Sequence, residues 1–132
     1  MLGELLSETR GKRIVRRIVS TEPPKAEVTF EDSGQMLGVN YNGTGTYCSV
    51  IRPDGSIYGD GEGLCITNEG EMATWKGSGL GRFKEGGAVS YRGVLYYRTA
   101  SQKLAKLNTT VGVFEFEVTA DGQTHSKVWE WK

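Results

Sequence analysis

Glycine recurs at every second position in three stretches of this chain: Gly43-Thr44-Gly45, Gly59-Asp60-Gly61-Glu62-Gly63 and Gly77-Ser78-Gly79-Leu80-Gly81. Along a strand, successive side chains point to opposite faces, so the glycines of one stretch share a face. Glycine weakens a strand unless the sheet must bend sharply or another group must come close to the backbone. Three such stretches on neighbouring strands predict a closed, strongly bent antiparallel barrel. The chain holds 19 glycines in 132 residues, about twice the usual share of roughly 7%. They follow no collagen period and lie in no low-complexity tract.

Turn signals recur at Pro53-Asp54-Gly55, Asn68-Glu69-Gly70, Glu85-Gly86-Gly87 and Asp121-Gly122. The runs between them are rich in Val, Ile, Thr, Tyr and Phe, the pattern of an antiparallel meander. The predicted strands are 28–39, 43–52, 56–67, 71–83, 88–99, 110–119 and 123–131. Ser101 through Leu107 reads as one or two helical turns with Ser101 as N-cap, an insert that covers one barrel end. Residues 1–11 read as an N-terminal extension or short helix. Ile14, Val15, Ile18 and Val19 fit a helical stripe, but their β-branching and Gly11 favour a strand ended by Pro23-Pro24. The fold class is therefore all-β: an up-and-down meander closed into a barrel of about eight strands, with a short helical insert near 101–107. A chain of this length is one domain, 1–132, able to bury a real core.

Charge and hydropathy exclude several partners. Sixteen basic residues balance sixteen acidic ones, so no global field draws in nucleic acid or an anionic membrane. The cluster Lys12, Arg13, Arg16 and Arg17 lacks interleaved aromatics and reads as a solvated face. No apolar run approaches the roughly 18 residues of a membrane span, and the first residues lack the charged and apolar regions of a signal peptide. The expected location is cytoplasmic. Cys48 and Cys65 flank the Asp54-Gly55 turn at an offset of roughly 13 Å, from about 3.3 Å per residue. A disulfide needs Cα atoms within about 7 Å, so two free thiols are expected.

Hairpin geometry assigns faces. Two-residue loops at Asp54-Gly55 and Glu69-Gly70 pair residues whose numbers sum to 109 and 139, and a longer loop at Gly86 gives about 172. Directly opposed residues share a face. One face then carries Tyr47, Ser49, Ile51, Tyr58, Asp60, Glu62, Leu64, Ile66, Ala73, Trp75, Gly77, Gly79, Phe83, Tyr91, Gly93, Leu95 and Tyr97. The opposite face, mostly hydroxyl and basic, includes both cysteines. The aromatic face is expected inside.

Asp60 and Glu62 then face the interior, in space cleared by glycines and walled by Tyr47, Tyr58, Trp75, Tyr91 and Tyr97. These seven residues are the candidate ligand-binding set. A buried carboxylate would have a raised pKa and could act as acid or base, which makes Asp60 and Glu62 the catalytic candidates. A single β-bulge would instead flip the strand and send both acids to solvent. The Asp121-Gly122 turn places Phe114 opposite Trp129 and Val118 opposite His125, with His125 near a barrel end and Trp129 and Trp131 closing the core.

Common site motifs are missing. Gly77-x-Gly79-x-Gly81 lacks phosphate-loop spacing and no helix follows it. From Asp54 to Cys65 the chain imitates a calcium loop, but Tyr58 and Cys65 occupy ligand positions. One histidine and two cysteines without paired spacing give no zinc site. No metal or cofactor is expected.

The stretch from about Val28 to Trp131 resembles an uncharacterised bacterial family of small β-barrels. The residues carrying the likeness are Arg52-Pro53-Asp54-Gly55, Gly59 through Gly63, Gly70-Glu71-Met72-Ala73-Thr74-Trp75, Leu107-Asn108 and Trp129-Glu130-Trp131-Lys132. In architecture it is similar to the calycin and allene oxide cyclase barrels. The resemblance implies a fold and no reaction. Three functional readings follow. The first is a barrel binding a small apolar or amphipathic ligand. The second is a cofactor-free isomerase or hydrolase using an interior carboxylate. The third is a structural or oligomerising module.

Overall fold

A computed structural model describes residues 2–132. Eight antiparallel strands form one closed barrel in chain order: β1 (Leu2–Thr21), β2 (Pro24–Met36), β3 (Val39–Ile51), β4 (Ile57–Thr67), β5 (Met72–Phe83), β6 (Val89–Thr99), β7 (Val111–Val118) and β8 (Gln123–Trp131). The all-β meander expected from the sequence is the fold. The predicted helical insert is a turn of 3-10 helix at Ala105–Thr109, and Ser101 Oγ accepts the Leu104 N–H at 3.3 Å. Residues 2–11 are not an extension or a helix. They belong to β1, which closes the barrel by pairing with β8 from Leu2↔Trp131 to Lys12↔Gln123. Met1 lies outside the described residues. No helix among these residues is long and apolar enough to cross a membrane.

Three hairpins share one turn, and that turn corrects the predicted faces. Pro53-Asp54-Gly55, Asn68-Glu69-Gly70 and Ala120-Asp121-Gly122 are three-residue loops. They are closed by Arg52 N–H to Ser56 O (2.8 Å), Thr67 N–H to Glu71 O (2.8 Å) and Thr119 N–H to Gln123 O (2.9 Å). Each ends on a left-handed glycine, with φ of +88°, +85° and +90°. A two-residue loop of type I′ needs positive φ at both positions. Glu69 would adopt that conformation at a cost, whereas a type I turn followed by glycine needs only one such residue, and Pro53 suits its first position.

The extra loop residue moves each register by one. β3 and β4 pair Ile51↔Ile57 and Cys48↔Asp60, and β4 and β5 pair Ile66↔Met72 and Gly61↔Gly77. The two shifts cancel across β4, so β3 and β5 keep their predicted faces while β4 alone is inverted. Ile57, Gly59, Gly61, Gly63, Cys65 and Thr67 face inward. Tyr58, Asp60, Glu62, Leu64 and Ile66 face outward. The β5–β6 pairing, Trp75↔Tyr97, is as predicted. The third loop inverts β8 in the same way: Phe114 pairs with Val128 and Val118 with Thr124. His125 therefore points outward, where its Nε2 meets Glu8 Oε2 at 2.7 Å. Trp129 and Trp131 do not close the core, and Trp131 is 57% exposed.

The break between the predicted strands 28–39 and 43–52 lies earlier, at Leu37-Gly38, between the pair Met36↔Val39. Leu37 has φ +50°, a costly conformation for a branched side chain. Its N–H bonds to Leu6 O at 2.9 Å and its side chain packs on the core, which offsets that strain.

Two buried clusters fill the barrel. At the end of the long β6–β7 connection lies an aliphatic plug: Leu6, Met36, Leu104 and Leu107 are each at most 1% exposed, packed with Tyr41, Cys65, Leu95, Tyr97 and Val128. Full burial of such side chains is worth about 1.5–3 kcal/mol each. Toward the other end lies an aromatic cluster of Phe30, Tyr91 and Phe116 with Ile57 and Val118, flanked by Tyr47, Trp75 and Phe114. The alternating glycines make room for these rings. A Cβ on Gly63 would come within 2.4 Å of the Trp75 indole, and one on Gly81 within 2.7 Å of the Tyr91 ring. Glycines opposite large rings let a narrow barrel taper without strain.

Beyond Lys12, β1 continues with β2 on one side only, to the pair Thr21↔Pro24. Bulges interrupt this arm between Arg13 and Val15 and between Ile18 and Ser20. Ile14, Val15, Ile18 and Val19 stand exposed along it, Ile18 by 65%.

Candidate functional site

Inside the barrel a cavity of about 90 Å³ is lined by residues of both clusters. It is smaller than the ~150 Å³ engineered cavities that accept a benzene ring and well below the ~300–1,000 Å³ clefts that enclose drug-sized ligands. Its two walls differ. Ser126 of β8, Ser7 and Thr9 of β1 and Asp32 of β2 form a polar wall; Phe30, Tyr47, Trp75, Tyr91, Phe114 and Phe116 form an aromatic one. The aromatic wall is a connected set. Phe30 and Phe116 stack obliquely with centroids 5.1 Å apart. Tyr47 meets Tyr91 and Phe116 edge-on at 5.7 and 5.8 Å, a favourable geometry for ring quadrupoles.

The polar wall is organised around Asp32, a carboxylate outside the predicted site residues. Asp32 Oδ2 accepts the Thr9 hydroxyl at 3.0 Å. Oδ1 lies over Gly43, where a Cβ would come within 2.5 Å of it, and has no hydrogen-bond partner among the described residues. Burial raises the Asp32 pKa, against the Thr9 hydrogen bond. Beside it, the Ser7 and Tyr41 hydroxyls share a hydrogen bond of 2.9 Å. Burial pushes the Cys65 thiol up to about 12, with the Asp32 charge adding to the effect. Burial also raises the Tyr41 and Tyr97 phenols, and the Asp32 charge adds to it in both. These neighbours stay protonated at neutral pH, which leaves Asp32 as the ionisable group of the interior.

Of the seven predicted ligand-binding residues, the structure brings Tyr47, Trp75, Tyr91 and Tyr97 together around the cavity. It does not bring Tyr58 or Glu62 there, and Asp60 reaches the lining without turning its carboxylate inward. Tyr58 lies outside under the Arg52 guanidinium, 5.2 Å from its ring centroid. Asp60 borders the cavity wall between two glycines, but its pairing sends the carboxylate outward. Asp60 and Glu62 are exposed and line an outer groove with Cys48, Lys76 and Tyr96. The catalytic candidates are therefore withdrawn as interior groups. Cys48 and Cys65 are free, as expected, but Cys65 is buried in the core rather than on the outer face. The signal that could have found Asp32 is its parity: Val28, Phe30, Asp32, Gly34 and Met36 alternate along one strand, apolar at both ends.

Arg13 and Arg16 were read as part of a solvated face. Their charges nevertheless reach Tyr47, where they act against the burial that raises its phenol. No group of three His, Cys, Asp or Glu side chains among the described residues could hold a metal ion.

No protein-family model matches this chain, and no curated protein matches it. Solved structures do. A protein of unknown function from Clostridium acetobutylicum superposes with a TM-score of 0.85 at 11% identity, covering 98% of both chains. A β-barrel-like protein from Acinetobacter baumannii gives 0.81 at 13% identity, over 100% of this chain and 96% of the other. An enzyme from Penicillium herquei gives 0.68 at 18% identity, over 96% and 92%. At these identities the likeness extends to the fold alone.

Proposed function

We propose that this protein binds a small amphipathic molecule inside its barrel, with the polar end on Asp32 and the apolar body against the aromatic wall. The observation that carries this reading is the division of one small cavity into a hydroxyl–carboxylate wall and a ring-lined wall. A packed aromatic core has no use for an inward, half-buried carboxylate, since partial removal of that charge from water is costly. The eight-stranded up-and-down form and aromatic interior also support the likeness to calycin and allene oxide cyclase barrels. The free thiols support a reducing, cytoplasmic setting.

Native mass spectrometry of freshly purified protein, against the same sample denatured, tests the reading. An extra mass released on denaturation is the expected result. A clean apo mass, with no shift on adding small amphipathic compounds, sinks it.

A second reading, an isomerase or hydrolase without cofactor, passes from Asp60 and Glu62 to Asp32. The raised Asp32 pKa beside the Ser7–Tyr41 hydroxyl pair favours it, because a desolvated carboxylate next to hydroxyls is suited to proton transfer. A turnover unchanged in Asp32→Asn would rule it out.

A further inference from the structure

We infer that the cavity selects a small organic ammonium ion, held by Asp32 at its charged end and by the aromatic wall along its body. The inference rests on the binding reading above and adds the charge of the ligand.

Three observations carry it. The first is the missing counter-charge: none of the residues lining the cavity is Lys, Arg or His, and no basic side chain lowers the Asp32 pKa. Asp32 stands half-buried where the cavity meets an outer groove that also holds Arg10 and Lys12. Thr9 bonds Oδ2 alone, and Oδ1 is left to solvent above Gly43. A partly desolvated carboxylate without an ion-pair partner offers its free oxygen to an entering cation. The second is the neighbourhood of that carboxylate. Tyr41, Tyr97 and Cys65 share its surroundings and all hold their protons at neutral pH. None of them supplies positive charge, and none competes as a second anion. The third is the opposite wall. Phe30, Tyr47, Trp75, Tyr91 and Phe116 are joined edge-to-face or obliquely. Ring faces attract a desolvated cation through their quadrupoles.

Size narrows the class. A cavity of about 90 Å³ holds a short alkyl amine and excludes a long lipid chain. An anion would meet the opposite order of forces: repulsion from Asp32 and from the negative ring faces. Arg13 and Arg16, which would attract an anion, act on Tyr47 rather than on Asp32.

The test uses the full chain and three probes of one size: n-butylamine, n-butanol and n-butyrate, titrated calorimetrically near neutral pH and low salt. Butylammonium is expected to bind about tenfold or more tighter than butanol, with butyrate undetected. In Asp32→Asn the preference for butylammonium over butanol should fall to within about threefold, because the charge has been removed. The wild-type order decides the matter by itself if that variant does not fold. Butanol binding as tightly as butylammonium overturns the ammonium inference and leaves the binding reading standing. Butyrate binding tightest overturns it too, and moves the anchor to Arg13 and Arg16. Failure of all three probes, with a clean apo mass, overturns both. A co-purified ligand without a cationic nitrogen also overturns the inference.

Discussion

The two ends of the barrel are closed by different means. At one end the long β6–β7 connection brings its own plug, Leu104 and Leu107, and drops it among Leu6 and Met36 with essentially no exposure left. At the other end no segment is inserted. Rings from β2, β3, β6 and β7 reach across the lumen, and inward glycines on β3, β4 and β5 give way to them. Flexible aliphatic side chains fill space to crystal-like density. Rigid rings set by glycine positions leave gaps between their edges. The difference explains why the cavity lies where the rings meet the polar strands, and why none of Leu6, Met36, Leu104 and Leu107 lines it.

The largest effect is expected at the plug. Leu107→Ala removes a fully buried side chain and should cost about 2–5 kcal/mol of unfolding free energy, read from denaturant midpoints. A cost below about 1 kcal/mol would mean that this end collapses as readily as the other. Next comes the glycine–ring fit. Gly63→Ala drives a methyl group into the Trp75 indole and should cost about 1–3 kcal/mol. Adding Trp75→Phe should recover part of that loss, because the two residues are in contact and couple. Purely additive losses would show that the glycine serves the backbone and not the ring.

Asp32 gives a smaller effect with a distinctive pH signature. Its folded-state pKa is raised above the ordinary value of 3.8 by burial. The native state therefore holds this proton more firmly than the unfolded chain. The associated stability is fully present below the unfolded pKa and is lost as pH rises through the folded one. Asparagine has no such dependence. The melting temperature of wild type should fall relative to Asp32→Asn as pH rises from below the ordinary carboxylate value of 3.8 through the raised folded-state value. A constant difference across that range would place Asp32 in solvent. The smallest effect is expected outside the barrel. Asp60→Asn and Glu62→Gln should each change stability by no more than about 0.5 kcal/mol and leave native-mass ligand retention unchanged. Loss of retention in either would restore these acids to the site.

The closed meander was legible because its signals are local: turn residues at regular intervals, β-branched runs and alternating glycines. The predicted faces of β3, β5 and β6 hold because the two one-residue shifts cancel across β4. Within β4 the large side chains mislead: Leu64 and Ile66 lie exposed on the outer face, while glycines occupy most of the inner one. Its facing therefore depends wholly on loop length, and Asp-Gly and Glu-Gly resemble two-residue turns. The physical clue was Glu69, a residue poorly suited to positive φ, which requires the longer loop. One added residue per turn moved Asp60 and Glu62 outside and turned Cys65 and His125 over. Asp32 carries no such local signal: the glycine-rich strands mark only part of the interior, and the polar wall comes from β1, β2 and β8. That wall exists only once β1 closes on β8, a pairing across nearly the whole chain with no local signature.

The arm formed by residues 14–21 of β1 has a further consequence, in the exchange of its amide hydrogens. Every strand of the closed barrel has two neighbours, so its amides are tied on both sides and open only with the larger unit. The last tie on the outer side of β1 is Arg13 N–H to Gly122 O at 2.7 Å; past it that side meets no strand, and roughly every second N–H there faces water. The arm should therefore label within the earliest times in deuterated buffer, in an alternating pattern broken at its two bulges. The rest of β1 should stay dark far longer, so that a single strand records the boundary between a fastened and an unfastened part of one sheet.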